Sequence, residues 1–346
     1  MTGSIYMQRA LELAELGRSS VSPNPMVGCV IVHNGTIIGE GYHMQYGMPH
    51  AEVNAILNVS NKDLLTEATA YVTLEPCSHY GKTPPCADLL IEHQIKKVVI
   101  CNTDPFEKVN GRGIAKLKAA GIEVEVGLLA EKGLELNRRF FKNAIKQEAY
   151  IILKWAETAD GFVAQSSGEP VAISGSMAVM HNHKWRTEED AYMVGTTTVL
   201  KDDPSLTARH WPGKNPIRIA IDFDGQIPSD AAIFNQEAET IIFGKNRAID
   251  GVRFIETTKE PDFIKKLPAS LHNLGIRSLV VEGGPELHEL CIAAGIYDEI
   301  RILQSKKISL QSGICAAKVP SKLFQKNTID LGEDLLHIYS VPIPTI

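Results

Sequence analysis

Residues 75–86 read Glu-Pro-Cys-Ser-His-Tyr-Gly-Lys-Thr-Pro-Pro-Cys, and residues 49–52 upstream read Pro-His-Ala-Glu. His50, Cys77 and Cys86 offer one imidazole nitrogen and two thiolates. That donor set suits zinc, and three protein ligands leave a fourth position open for water, whose pKa zinc lowers toward roughly 7. His50 stands where the helical run HAEVNAIL begins. Cys77 follows the strand-like AYVTL and Pro76, and Cys86 opens the helical run CADLLIEHQ, where the N-terminal dipole favours a thiolate. Glu52, two residues after His50, does not face the same way on a helix. It can reach beside the metal, which suits a proton shuttle between a water and a leaving group. A purely structural zinc would need a fourth protein ligand, for which His79 is the nearest in sequence.

Outward from this centre, helix and strand patterns alternate. Met7, Leu11 and Ala14 mark one helical face, closed at Gly17. VGCVIVH and TIIGEGY read as strands joined by a tight Asn34-Gly35 turn. KKVVICN and IEVEVG are further strands, flanking a GRGIAKLKAAG helix. AEKGLELNRRFFKNAIKQE reads as one long charged helix that closes a first domain at residue 147. From 148 to 346 the alternation resumes. Strands are expected at AYIILKWA, AYMVG, IRIAID, TIIFG, SLVV and DEIRIL. Helices are expected near 176–190, near 261–274 and at PELHELCIAAG. Such alternation predicts a largely parallel sheet, with the closing LLHIYSV as an antiparallel edge. The whole chain is therefore expected to be α/β, in two layered domains.

A length of 346 residues suits two domains, and 44% hydrophobic with 22% charged residues is ordinary globular composition. Residues 1–147 carry 15 basic and 15 acidic side chains, leaving 20 and 26 beyond them, so the net charge of −6 falls in the second part. Neither part has the basic excess of a nucleic-acid binder. No apolar run is long enough to span a membrane. Arg9, Glu12 and Glu15 interrupt the N-terminal run, so no secretory signal is expected. The six cysteines are too few for a disulfide scaffold, and a cytoplasmic location with free thiols is the expectation. Cys29 and Cys101, inside apolar runs, read as buried small hydrophobes.

His-x-Glu followed by Pro-Cys-x2-Cys marks zinc deaminases; here the cysteines are separated by eight residues. Together with Pro23-Asn24-Pro25, Gly41-Tyr42-His43 and Pro49-His50-Ala51-Glu52, the run Glu75–Cys86 resembles the pyrimidine deaminase of the riboflavin pathway, across essentially all of residues 1–147. The resemblance implies a cytidine-deaminase-like fold, Zn2+ on His50, Cys77 and Cys86, catalysis by Glu52, and a phosphoribosylated diaminopyrimidine substrate. Asn24, whose amide can read a pyrimidine edge, and His43, His79 and Lys82 are candidate substrate contacts. Their bland readings are a turn residue, a strand-end histidine and solvated loop charges. Asp104 is either a cleft residue at a strand's carboxyl end or a turn-forming Asp-Pro.

The second part resembles the reductase of the same pathway over roughly 148–304. The residues that carry this are Lys154-x-Ala156-x-Thr158-x-Asp160-Gly161, Ser167-Gly168-Glu169, His183-x-x-Arg186, Val194-Gly195-x-x-Thr198, Asp202-Asp203-Pro204-x-Leu206-Thr207-x-Arg209 and Glu282-Gly283-Gly284. A dihydrofolate-reductase-like α/β domain using NADPH is implied. Ala156, Ala172, Thr198, Asp202, Gly283, Gly284 and Pro285 would face the cofactor. Lys154, Asp160, Arg186, Leu206, Arg209 and Glu282 would face the substrate. Independently, a glycine turn between a buried strand and a helix start admits phosphate to backbone N–H groups. Arg186 and Arg209 match phosphate geometry, or else pair on the surface with Glu188, Glu189 or Asp203. Asp160 is equally a turn residue, and mid-strand Lys154 would ordinarily lie on an exposed face. Lys201, Lys245 and Arg247 are candidates for the cofactor's 2′-phosphate. Two departures from the family pattern stand out: Ala172 replaces a tryptophan, and residues 303–320 diverge.

The expectation is a bifunctional enzyme that first deaminates a small phosphoribosyl pyrimidine and then reduces its ribosyl chain, with no nucleic-acid or membrane partner. The resemblance implies a homodimer or higher oligomer. The alternatives are a zinc deaminase of another nucleobase or nucleoside with a divergent or inactive second domain, and a non-catalytic zinc-stabilised module.

Overall fold

A computed structural model describes residues 3–80, 84–106, 110–168 and 171–342. The chain divides into two units, Met1–Gln147 and Glu148–Ile346. In the first, five strands form one sheet: β1 (Gly28–His33), β2 (Thr36–Tyr42), β3 (Thr69–Leu74), β4 (Lys97–Asn102) and β5 (Glu123–Val126), in the order β2-β1-β3-β4-β5. β1 runs antiparallel to β2 and β3, and β3, β4 and β5 are parallel. Period-2 alternation in β1 serves both faces. Val30 and Val32 pack with Met7, Ala10 and Leu11 of α1 (Gly3–Glu15). Cys29 and Ile31 pack with Ala51, Ala55 and Ile56 of α2 (Ala51–Leu57) and with Leu90 of α3 (Cys86–Glu92) and Leu117 of α4 (Arg112–Ala119). Asn34 (φ 48°) and Gly35 (φ 78°) make the tight β1–β2 turn. α2 lies so close to β2 that a Cβ on Gly41 would stand 2.3 Å from the Ala55 nitrogen. That approach fixes the helix carrying Glu52.

The long charged helix is two helices, α5 (Ala130–Leu136) and α6 (Arg138–Lys146). The break is at Asn137, whose side-chain amide donates to the Met26 carbonyl and accepts from the Met26 N–H, both at 2.8 Å. No glycine or proline announces this break; a distant backbone segment imposes it.

In the second unit nine strands form one sheet. They are β6 (Tyr150–Glu157), β8 (Ala191–Gly195), β9 (Ile217–Asp222), β10 (Thr240–Gly244), β11 (Val252–Glu256), β12 (Ser278–Val281), β13 (Glu299–Ser305), β15 (Phe324–Asp330) and β16 (Asp334–Ser340). Their order is β11-β10-β9-β8-β12-β6-β13-β16-β15, parallel from β11 to β13 and antiparallel at β16 and β15. The segment LLHIYSV is antiparallel as expected but lies inside the edge; β15 covers it. β15 escapes the hydrophobic pattern because almost all its residues are exposed. A separate two-stranded ribbon pairs β7 (Phe162–Ala164) with β14 (Ile314–Cys315). The helices are α7 (Ser176–Glu188), α8 (Thr196–Asp202), α9 (Phe263–Asn273) and α10 (Pro285–Ala294). β6 is buried on both faces: Ile151, Leu153 and Trp155 join one core, and Tyr150 and Ile152 the other.

His288 of α10 is 1% exposed, its Nε2 3.1 Å from the Val281 carbonyl oxygen and its ring against Trp155. Burial pushes its pKa from 6.5 down to about 4. The unfolded chain therefore binds this proton at higher pH than the folded chain. Stability from neutral His288 is complete above pH 6.5 and is lost as pH falls toward 4. The loss at pH 5 should be about 2 kcal/mol. Denaturant unfolding at pH 7 and pH 5 checks this: His288→Gln should flatten the difference, and an unchanged pH slope would refute it.

Candidate active sites

His50 caps α2 with extended backbone, Cys77 follows β3, and Cys86 is the first residue of α3. Their ligand atoms all lie within 4.8 Å of one another. His50 Nδ1 is 3.7 Å from Cys77 Sγ and 3.3 Å from Cys86 Sγ. Zinc bond lengths of roughly 2.0 Å to nitrogen and 2.3 Å to sulfur, at a tetrahedral angle, set N and S about 3.5 Å apart. The three side chains fit such an ion without rearrangement. Cys77 Sγ accepts the Cys86 N–H at 3.3 Å, and the Cys86 thiol, the N–H and His50 together favour its thiolate. Among the described residues His79 is not part of the metal-ligand cluster, and it is exposed, so it does not close the fourth position.

Glu52 is 3% exposed and lies beside this centre on α2. Burial raises its carboxyl above the ordinary range, and the Cys77 sulfur adds to that. Asn24 Nδ2 is 3.1 Å from His43 Nε2, His43 Nδ1 is 3.2 Å from the Pro49 carbonyl oxygen, and the His43 ring meets His50 edge-on at 5.4 Å. Burial lowers the His43 pKa, which keeps the ring neutral. Asn24 and His43 therefore join the metal cluster. Lys82 lies outside the described residues. Asp104, at the carboxyl end of β4, is pushed up to about 6 by burial, and the His79 charge bears on it.

Glu75 was quoted above only as part of a motif, yet it organises the region. It is 4% exposed and accepts four backbone N–H groups: Gly113 at 2.9 Å, Gly111 at 3.0 Å, Ile114 at 3.2 Å and Asp104 at 3.3 Å. A Cβ on Gly113 would stand 2.1 Å from the Pro76 carbonyl oxygen, so only glycine permits this docking of α4. Glu75→Ala should strip these buried N–H groups and cost roughly 2–4 kcal/mol. Denaturant unfolding would show it, and a loss under 1 kcal/mol would contradict the clamp.

In the second unit, Glu282 follows β12 and gathers three donors: Lys154 Nζ at 2.7 Å, Asn182 Nδ2 at 2.8 Å and Arg186 Nη2 at 3.0 Å. Burial opposes its charge, but the Lys154 and Arg186 cations outweigh that and hold the carboxyl well below its usual range. Lys154 is 7% exposed, not on an open face. Arg186 is 8% exposed and pairs with Glu282, so it is not an open surface cation. Its guanidinium also donates to the Thr207 carbonyl at 3.0 Å and lies over the Tyr192 ring. Arg209 remains exposed and donates to Ser205. Its backbone N–H donates to His183 Nδ1 at 3.0 Å, on a ring that burial pushes down to about 4. Asn182 stands four residues before Arg186 on α7, a same-face spacing that could have drawn attention to it.

Thr198 lies in the first turn of α8, not in a loop, and its hydroxyl is 4.0 Å from where a Cβ on Gly284 would sit. Gly284 caps α10 without a side-chain hydrogen bond, and Pro285 is its first residue. Ala156 lies at the carboxyl end of β6, half-buried. Asp202 and Ala172 are exposed. Leu206 is 2% exposed in the core at φ 52°. Asp160 is given over to the chain itself: Ser309 and Thr158 hydroxyls and the backbone N–H groups of Leu310 and Gln311 donate to it. Lys201 Nζ donates to the Gly168 carbonyl, and Arg247 pairs with Asp222. Glu169 lies outside the described residues.

The fold and these two centres define a two-part enzyme, a zinc-binding deaminase followed by a nucleotide-dependent reductase. Residues 2–102 match the cytidine and deoxycytidylate deaminase zinc-binding region, and residues 149–308 match the RibD C-terminal domain. The chain is 39% identical to the riboflavin biosynthesis protein RibD of Aquifex aeolicus, over 96% of both chains. It is 38% identical to that of Escherichia coli, over 93% of both. A Thermotoga maritima diaminohydroxyphosphoribosylaminopyrimidine deaminase/5-amino-6-(5-phosphoribosylamino)uracil reductase superposes with a TM-score of 0.89 at 34% identity, covering 99% of each chain. Acinetobacter baumannii RibD gives 0.89 at 34%, covering 98% of each. The chain belongs to the RibD family, the bifunctional deaminase–reductases of riboflavin biosynthesis, with a zinc-binding deaminase domain and an NADPH-dependent reductase domain. Among the described residues no helix is long and apolar enough to cross a membrane.

Proposed function

We propose that residues 1–147 hydrolyse the 2-amino group of 2,5-diamino-6-(5-phosphoribosylamino)pyrimidin-4(3H)-one, and that residues 148–346 then reduce the ribosyl chain of the product to ribityl. The single observation that carries this is Glu52, a buried carboxyl set beside a three-ligand metal centre that keeps one position open. A structural site has no use for that carboxyl. Zinc, when bound by His50, Cys77 and Cys86, supplies the Lewis acidity that makes water a nucleophile near neutral pH. Glu52 takes a proton from the attacking water and passes it to the ring nitrogen, then takes the proton of the hydroxyl now on C2 and gives it to the amino group, which leaves as ammonia. Asn24, oriented by His43, reads the pyrimidine edge, and His79 and Lys82 hold the phosphoribosyl end, with Asp104 lining the cleft.

In the reductase, NADPH supplies the hydride, so no protein nucleophile is required. The N–H groups of Gly283 and Gly284 receive its phosphates at the start of α10, with Pro285, which has no N–H, packing alongside and the Thr198 hydroxyl beside them; Ala156, Ala172 and Asp202 flank it. Lys154, held by Glu282, is placed to support the oxygen that gains negative charge as the sugar opens. Arg209 faces the substrate phosphate, and Leu206 supports that loop. The protein acts on a small molecule as a cytoplasmic homo-oligomer with no nucleic-acid or membrane partner. Mass spectrometry of products from the diaminopyrimidine tests the reading. Replacement of the amino group by oxygen is expected without NADPH, and a further gain of two hydrogens with it. Unchanged substrate in both reactions would overturn it.

A further inference from the structure

Asp160 was expected to meet the substrate, and residues 303–320 were the least family-like part of the chain. The structure joins these two features. β7 continues from the carboxyl end of β6, and β14 follows the carboxyl end of β13, which neighbours β6. Their ribbon pairs Ala164 with Ile314 and Phe162 with Cys315. Gly313 presses against it so closely that a Cβ there would stand 2.4 Å from the Ala164 carbonyl oxygen.

Beyond β7, the Gly168 carbonyl accepts from Lys201 Nζ on α8 at 3.2 Å. α8 follows β8, and β12 lies between β8 and β6 in the sheet. The strap thus links β6 and β13 to α8, whose strand β8 lies on the other side of β12 in the sheet, and Glu282, Gly283 and Gly284 follow the carboxyl end of β12.

Asp160 fixes the root of this strap. It accepts the Ser309 hydroxyl at 2.6 Å, the Gln311 N–H at 2.8 Å and the Leu310 N–H at 3.2 Å. The Ala159 N–H donates to Ile308 at 2.8 Å and the Ala316 N–H to Gly161 at 3.0 Å on either side of it. One exposed carboxylate thus sets the spacing between the two strands of the strap.

We propose that Asp160 is a positioning residue, which holds the β7–β14 strap over the Glu282-Gly283-Gly284 turn so that the strap closes on bound NADPH. A strap anchored beforehand loses less freedom when the cofactor binds, so the anchor acts on affinity rather than on hydride transfer. The proposal rests on the reductase reading of residues 148–346.

The test compares the full-length wild type with Asp160→Ala and Asp160→Asn. NADPH affinity is read by fluorescence titration, KM and kcat by reductase assay, and backbone amide exchange over 306–316 with and without NADPH. Expected in Asp160→Ala are a Kd and KM for NADPH raised about tenfold, kcat within about threefold, and loss of the NADPH-induced protection of 306–316. Asp160→Asn, which keeps one acceptor oxygen, should fall between. Deaminase activity of the same chain should be unchanged. Equal NADPH affinity in all three proteins would overturn the proposal, as would a fall in kcat at constant KM or loss of both activities together. Failure of the wild type itself to bind NADPH would instead overturn the reductase reading.

Discussion

Glu52→Gln is expected to slow ammonia release by roughly 10³-fold or more, while zinc content and reductase activity on deaminated substrate should stay at the wild-type level. The substitution keeps size and burial in a side chain that is 3% exposed on α2. It leaves His50, Cys77 and Cys86 untouched. What it removes is the group able to take a proton and return it, and general acid–base catalysis of this kind is worth roughly 10²–10⁴-fold. The proposed mechanism gives Glu52 two such transfers, so the upper part of that range is expected. Metal analysis alongside an ammonia assay checks both halves of the statement. A variant that keeps its zinc and deaminates within tenfold of the wild type would remove Glu52 from the mechanism.

Glu282→Ala should cost about 3 kcal/mol of stability and eliminate reduction. Its carboxylate is the shared partner of Lys154 and Arg186, whose side chains are 8% and 9% exposed. Removing it leaves two buried cations and the Asn182 amide without that partner, and breaking a buried pair by deleting one member costs roughly 3–5 kcal/mol. The low end is expected because Glu282 itself keeps 17% side-chain exposure, which admits water. Lys154 also loses the contact that aims its ammonium. Denaturant unfolding with paired assays of both activities reads the outcome: reduction lost, deamination retained. A change below 1 kcal/mol would mean that water replaces the carboxylate without penalty.

The metal centre was legible in the sequence because its chemistry is local. Two thiolates with eight residues between them, each after a proline, and a His-Ala-Glu at a helix start admit few other uses, and the structure brings the ligand atoms of His50, Cys77 and Cys86 within 4.8 Å of one another. Glu75 stood in the same motif but showed no role, because its partners are backbone N–H groups up to 39 residues away. The Lys154–Glu282–Arg186 cluster joins positions 128 and 96 residues apart. Read alone, each is an ordinary charge on a strand, a turn or a helix. The parallel pairing of β6 with β12 brings Lys154 beside Glu282, and α7 adds Arg186. Element types followed from periodicity at most core-facing elements, although β11, whose Val252, Phe254 and Ile255 pack on the cores, was not among the expected strands. They failed at β15, which has almost no buried face, and at Asn137, where a contact to Met26 overrides local helix preference. α8, which carries Thr198, was not among the expected helices because an element that short carries little periodicity of its own.

One chain carries two reactions of riboflavin biosynthesis, a hydrolytic deamination and then a reduction. Simultaneous progress curves of ammonia release and NADPH oxidation, from the purified chain with the diaminopyrimidine substrate, test it most directly. Ammonia release should run at full rate without NADPH. With NADPH present, oxidation should lag behind ammonia and reach the same final amount. NADPH oxidation without ammonia release, or ammonia release that requires NADPH, would contradict it.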